Sequence, residues 1–89
     1  MKIEPIKKAG SHRTGRLDGI TVEQVTERLG FAPNCEDNPY KVKHSWEFTV
    51  DGVHCGVWDY KGSAEVNSFS TYGVPDKLAM IFGLYYRHG

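Results

Sequence analysis

The stretch SWEFTVDGVHCGVWDY, from Ser45 to Tyr60, decides the fold of this chain. Asp51 and Gly52 lie at its centre, between two segments in which apolar and polar residues alternate. An Asp-Gly pair in this setting favours a type I′ turn, in which both central residues take positive φ. The sequence therefore predicts a two-stranded antiparallel hairpin.

A two-residue turn also fixes the register of the two strands. Counting outward from the turn, the predicted pairs are Val50 with Val53, Phe48 with Cys55, Trp46 with Val57, and His44 with Asp59. Neighbouring residues of a strand point to opposite faces of a sheet. We expect the core face to carry Trp46, Phe48, Val50, Val53, Cys55 and Val57, and the opposite face to carry Glu47, Thr49, His54, Gly56, Trp58 and Tyr60.

Two helices are predicted on either side of the strands. Thr21 and Gln24 form the pattern of a capping box, and Gly30 is placed to end that helix in the left-handed conformation. Pro75 suits the first position of a second helix. The apolar residues of this helix recur at helical spacing: Leu78, Ile81, Phe82 and Tyr85. Arg87 and His88 suit its predicted C-terminus.

A third strand is predicted from the alternation between Glu65 and Thr71. Residues 1–18 lack apolar periodicity and predict a flexible basic arm, which Ile3 and Ile6 could anchor as a short edge strand. The predicted fold is therefore α+β: one small domain over residues 19–89, in the order helix-strand-strand-strand-helix, with a three-stranded antiparallel sheet.

Composition and length bound the class of protein. A chain of 89 residues, with 39% hydrophobic residues, is enough for one core. No apolar run approaches the roughly 20 residues of a membrane helix, and no signal peptide is evident, so we expect a cytoplasmic protein. Cys35 and Cys55 are then expected to be reduced thiols.

Charge is unevenly distributed along the chain. Residues 1–16 hold five basic residues and one acidic residue, while residues 17–89 hold six basic and ten acidic residues. A basic arm attracts phosphates. One hypothesis is therefore an accessory protein that binds nucleic acid through Lys7, Lys8, Arg13 and Arg16.

Residues that could carry chemistry do not form a recognisable catalytic or metal motif. The spacing of Cys35, His44, His54 and Cys55 matches no zinc pattern, and His54 and Cys55 point to opposite faces of their strand. His44 and Asp59 favour a structural cross-strand contact over a catalytic pair. We expect a protein that is not an enzyme and holds neither metal nor cofactor.

Aromatic residues on the second sheet face indicate a different role. Unless the second helix covers them, Trp58 and Tyr60 would form a protein-binding surface with an acidic rim of Glu47, Asp59 and Glu65. The second helix also carries Met80 and Leu84 outside its main apolar stripe, which would suit a homodimer. Binding of a protein partner is the leading hypothesis.

Several segments also resemble small uncharacterised proteins encoded by bacteriophages and prophages. The resemblance spans about residues 20–83 and rests on four runs: LGFAP from Leu29, WEFTVDG from Trp46, VWDYKGS from Val57 and FSTYG from Phe69. Such proteins often bind and block a host protein. The resemblance implies an inhibitor of a host or defence complex of the CRISPR type, and it implies no site residue.

Overall fold

The computed structural model describes residues 2–6, 13–34, 42–60 and 67–88, with the backbone alone at 42, 43 and 60. Their elements, in chain order, are β1 (Ile3–Pro5), β2 (Gly15–Asp18), α1 (Val22–Leu29), β3 (Val42–Val50), β4 (Val53–Tyr60), β5 (Ser68–Tyr72), α2 (Pro75–Phe82), a 3₁₀ turn (Gly83–Tyr85) and β6 (Tyr86–His88). These elements form an α+β domain.

The predicted hairpin is confirmed as β3 and β4. Asp51 and Gly52 have φ angles of 51° and 84°, as a type I′ turn requires. The register is also the predicted one, with Trp46 opposite Val57 and His44 opposite Asp59. A register shift between Val42 and His44 marks an irregularity at the open end of the hairpin.

The predicted three-stranded sheet and its element order are wrong. Within the described residues the sheet has six strands in the order β1-β3-β4-β5-β2-β6, and every described pairing is antiparallel. Two of the added strands, β1 and β2, lie in the segment predicted to be a flexible arm. The short edge strand that Ile3 and Ile6 could anchor is present as β1, which includes Ile3. These strands have three or four residues each, and their partners are distant in the chain, so local periodicity does not reveal them.

The two helices begin as the sequence predicts. The Thr21 hydroxyl accepts from the backbone N–H of Gln24, the Gln24 side chain accepts from the backbone N–H of Thr21, and Gly30 ends α1 with φ 89°. Pro75 begins α2. The second helix ends at Phe82, however, so Arg87 and His88 lie in β6 and not at a helix C-terminus.

Both helices pack on the predicted core face of the hairpin. The buried core joins residues of the sheet and of the helices: Leu17, Ile20, Val25, Leu29, Trp46, Phe48, Val50, Cys55, Val57, Phe69, Leu78, Ile81 and Phe82. Val53, predicted for this face, is 37% exposed beside the turn. Within the described ranges, no helix is both long and apolar enough to span a bilayer.

Candidate functional site

The predicted aromatic and acidic surface on the sheet is largely below the protein surface. Trp58 is 6% exposed and Glu47 is 1% exposed, although both lie on the face opposite the helices. The side chain of Tyr60 and all of Glu65 lie outside the described residues. Glu47 and Trp58 therefore do not offer a partner an accessible contact in this conformation.

Glu47 belongs instead to a buried polar cluster across β3 and β4. Its Oε2 lies 2.8 Å from His54 Nε2, and the ring of His54 contacts that of Tyr72 edge-on at 5.3 Å between centroids. Gly56 stands directly opposite Glu47, and a Cβ atom there would lie 2.9 Å from Glu47 Oε2. The absence of a side chain at Gly56 thus makes room for the buried carboxylate.

Asn34 holds the backbone beside this cluster. Its side-chain amide donates to the carbonyl oxygens of Ile6 and Glu47, and its side-chain oxygen accepts from the backbone N–H of Glu47. The backbone N–H of Asn34 donates to the Ser45 carbonyl at 3.0 Å. Asn34 therefore replaces strand hydrogen bonds along the edge of β3, next to β1.

His44 and Asp59 form the predicted cross-strand pair. The backbone N–H of His44 donates to Asp59 Oδ1 at 2.7 Å, and His44 Nδ1 lies 3.0 Å from Asp59 Oδ2. The imidazole also stacks on Trp46, with 6.3 Å between centroids. Both oxygens of the Asp59 carboxylate thus contact His44 and close the open end of the hairpin.

A second group of buried polar side chains lies within the core. The thiol of Cys55 packs against Gly73, where a Cβ atom would be 2.5 Å from the sulfur, and burial raises the pKa of this thiol. The hydroxyl of Tyr86 and Oγ1 of Thr71 are buried close to Gly15. Burial also raises the pKa of Tyr86. The tight packing gives this group a structural role.

Metal binding has no support in the part of the chain that the structure describes. No three His, Cys, Asp or Glu side chains there lie together as ligands. His54 and Cys55 occupy opposite faces of β4, as expected for neighbours in a strand. Cys55 is a free thiol, and Cys35 lies outside the described residues.

The exposed apolar surface lies on the helical side of the molecule. Met80 is 73% exposed and Leu84 is 94% exposed, whereas the other stripe of α2 packs into the core. Ala79 and Gly83 are exposed beside them. We call Ala79, Met80, Gly83 and Leu84 the apolar ridge; it runs from the middle of α2 into the 3₁₀ turn.

Both helices carry exposed carboxylates. Asp76 is exposed one helical turn before Met80, and Glu23 and Glu27 are exposed on α1. None of these three carboxylates makes an ion pair within the described residues.

Arg28 connects the two helices near the end of the ridge. Its Nη1 donates to the Ile81 carbonyl at 3.0 Å, and its guanidinium lies 5.2 Å from the centre of the Tyr85 ring. A cavity of about 390 Å³ is lined by Gln24, Glu27 and Arg28. The helical side therefore combines an apolar ridge, an open cavity and a surplus of negative charge.

Arginine residues lie at one edge of the sheet, along β2 and β6. Arg16 of β2 is paired with Arg87 of β6, and Arg13 is exposed just before β2. Asp18 forms an ion pair with Arg16, with 3.0 Å between Nε and Oδ2. Of the four basic residues predicted to bind nucleic acid, the structure thus brings Arg13 and Arg16 to this edge, while Lys7 and Lys8 lie outside the described residues.

Comparison of the chain with family models, with curated proteins and with solved structures finds no match. The resemblance to phage and prophage proteins therefore stays a prediction.

Sequence reasoning finds some of these residues and misses others. Met80 and Leu84 stand out in the sequence because they fall outside the apolar stripe of α2, and they are exposed. Arg87 is predicted at a helix end, so the sequence does not reveal its position opposite Arg16. No local signal marks this pairing, because β6 has three residues and its partner strand lies about seventy positions earlier in the chain.

Proposed function

We propose that this domain is a non-enzymatic protein-binding module that contacts its partner through the helical side. The observation that carries the proposal is the exposure of Met80 and Leu84, at 73% and 94%, while most other large apolar side chains of the described residues are buried. Exposed apolar patches bordered by polar residues are typical of protein interfaces.

The exposure of the apolar ridge favours a role in binding a partner over a role in stabilising the free domain. Two large apolar side chains in water contribute little to the stability of the free domain, and each adds apolar area that a partner can bury at roughly 25 cal/mol per Å². Because Ala79 has only a methyl group and Gly83 has no side chain, there is space beside Met80 and Leu84 into which a partner side chain can pack. The ridge is thus suited to the centre of an interface.

The charge on the two helices indicates the chemistry of the partner. Glu23, Glu27 and Asp76 form no ion pair within the described residues. The two basic residues of the helices are already engaged, Arg28 with Tyr85 and Ile81 and Lys77 with Asp51. A partner with a basic surface around an apolar contact would complement this side of the molecule. We therefore assign the ridge to a different protein with a basic surface.

The resemblance to phage proteins gives this proposal a more specific form. Subunits that handle nucleic acid carry basic surfaces, and they occur in host machinery and in CRISPR-type defence complexes. We propose inhibition of such a complex in the host cytoplasm. The acidic helical side would occupy a basic surface that otherwise holds nucleic acid.

A capture experiment with matched variants tests the proposal. The tagged protein, its Met80→Ser/Leu84→Ser variant and a Val53→Ser control are incubated with lysate of the source cells, and bound proteins are identified by mass spectrometry. Binding of the purified partner is then measured. We expect at least a tenfold loss of affinity in the double variant, full retention in the control, and weaker binding at higher salt or in Glu27→Gln/Asp76→Asn.

Three outcomes would overturn the proposal. They are a partner that binds the double variant as tightly as the wild type, a failure of the wild type to capture any protein, and self-association that disappears in Leu84→Ser. The last outcome, seen by analytical ultracentrifugation, would assign the ridge to a homodimer instead. Since Met80 and Leu84 are exposed, the variants should keep the wild-type melting temperature within a few degrees.

A further inference from the structure

Two arginines face each other on the outermost pair of strands. Arg16 of β2 lies directly opposite Arg87 of β6, so both side chains leave the same face of the sheet. Residues at such positions have Cβ atoms about 5 Å apart, and like charges there destabilise the sheet. The free protein therefore carries an unfavourable interaction at this edge.

The carboxylate nearby does not neutralise the pair. Asp18 contacts Arg16 through Nε, and it also accepts a hydrogen bond from the Ser68 hydroxyl at 3.2 Å. Arg87 is exposed and makes no ion pair within the described ranges. Exposed Arg13 lies three positions before Arg16 in the chain, so among the described residues this edge carries three arginines and the carboxylate of Asp18.

We infer that this edge, the Arg13–Arg16–Arg87 cluster, is a binding site for the phosphodiester backbone of a nucleic acid. Guanidinium groups bind phosphate oxygens through paired N–H donors, and a bound phosphate would replace the repulsion between Arg16 and Arg87 with two attractive contacts. The inference is independent of the proposed protein-binding function, because Arg16 is next to buried Leu17 in β2 and so lies on the sheet face away from the core and the helices.

The spread of the charges favours a row of phosphates over a single anion. Arg13 and Arg16 are three positions apart, a separation of up to about 10 Å in extended chain. A phosphate held between Arg16 and Arg87 has neighbouring phosphates on the same strand, and Arg13 can contact one of these. None of the described helices presents a basic face, so the site is expected to hold the backbone without reading the base sequence.

The test measures binding of a fluorescein-labelled single strand of about 20 nucleotides and of the matching duplex by fluorescence anisotropy, across a series of NaCl concentrations from about 25 to about 200 mM. We expect Arg87→Gln to weaken binding at least threefold at the lowest salt. It should also lower the slope of log K against log [salt] by about 0.7 to 0.9 for each phosphate that position 87 no longer neutralises. Arg87→Lys keeps the charge and should retain most of that slope.

Lys2→Gln is the matched control. This change removes one positive charge beside β1, at the other edge of the sheet from β6. Lys2 there forms an ion pair with Glu4, and the Lys2 side chain is 77% exposed. The change should leave binding within twofold of the wild type. Arg87→Gln should also melt at or above the wild-type temperature, because it removes a repulsive pair.

The inference is overturned if the wild type binds neither probe, if binding does not depend on salt, or if Lys2→Gln weakens binding as much as Arg87→Gln does. An Arg87→Gln protein that melts well below the wild type would also contradict it, since Arg87 would then stabilise the fold rather than face a ligand.

Discussion

At the scale of single residues, the carboxylate of Glu47 constrains position 56 to glycine. The carboxylate of Glu47 is buried, is hydrogen-bonded to His54, and occupies the space that a side chain at position 56 would need. The glycine is required here by close approach of a side chain and not by its backbone angles. The side chain of Glu47 on the neighbouring strand therefore explains why glycine, which is otherwise unfavourable within a strand, occurs at position 56.

Gly56→Ala is expected to destabilise the protein by about 1 to 3 kcal/mol, because a methyl group would force the buried carboxylate of Glu47 to move. The free energy of unfolding in urea measures this cost. In a Glu47→Ala background the same change should cost much less, since the carboxylate is no longer there to be displaced. An equal cost in both backgrounds would show that Glu47 is not the obstacle.

The buried thiol and phenol give the protein a specific alkaline instability. Burial raises the pKa of Cys55 above 9.0 and that of Tyr86 above 10.0, while the unfolded chain titrates at the ordinary values. Above about pH 9 the unfolded chain therefore loses protons that the folded protein keeps, so stability falls as pH rises. Below that pH both states are protonated and the two groups contribute no pH dependence.

Urea midpoints at about pH 7.5 and about pH 10 measure this effect. We expect a lower midpoint at the higher pH for the wild type. The decrease should be smaller for Cys55→Ala/Tyr86→Phe, compared with its own midpoint at the lower pH. Equal decreases in the two proteins would mean that other groups, such as the lysines, account for the whole effect.

At the scale of elements, the sequence predicts the helix starts and turns whose stabilising contacts lie close together in the chain. The capping box of Thr21 and Gln24 and the turn at Asp51 and Gly52 are predictable, because the stabilising contacts lie within a few residues in the chain. The strands β1, β2 and β6 are not, because their hydrogen bonds depend on partners about 45 to 70 positions away.

The exposure of a sheet face likewise depends on parts of the chain that are distant in sequence. Strand alternation correctly assigns Trp46 to one face and Trp58 to the other, but it cannot tell whether a face is covered. Trp58 is buried on the face away from both helices, so its apolar character alone is not a measure of exposure.

Thr21→Ala tests the contribution of the capping box to α1. Removal of the hydroxyl that accepts from the Gln24 N–H should cost about 1 kcal/mol, observed as a lower melting temperature by several degrees. Thr26→Ala, inside the same helix, is the matched control and should be neutral or slightly stabilising, because alanine has the higher helix propensity. A larger effect at Thr26 than at Thr21 would contradict this account of the helix start.

At the scale of the whole molecule, charge and apolar exposure divide between two regions. The helical side presents the apolar ridge with Glu23, Glu27 and Asp76, and the β2–β6 edge presents Arg13, Arg16 and Arg87. The overall charge of zero conceals this division. Such a molecule can contact a basic protein surface and a polyanion through separate regions.

The central claim is that Leu84 and the ridge around it contact a partner protein. Site-specific photo-cross-linking tests it most directly: benzoylphenylalanine replaces Leu84 in one protein and exposed Val53 in another, and both are irradiated in the source cells. The account predicts a cross-link from position 84 to a protein with a basic surface and none from position 53. Cross-links from position 53 alone, or from position 84 to a second copy of this chain, would contradict it.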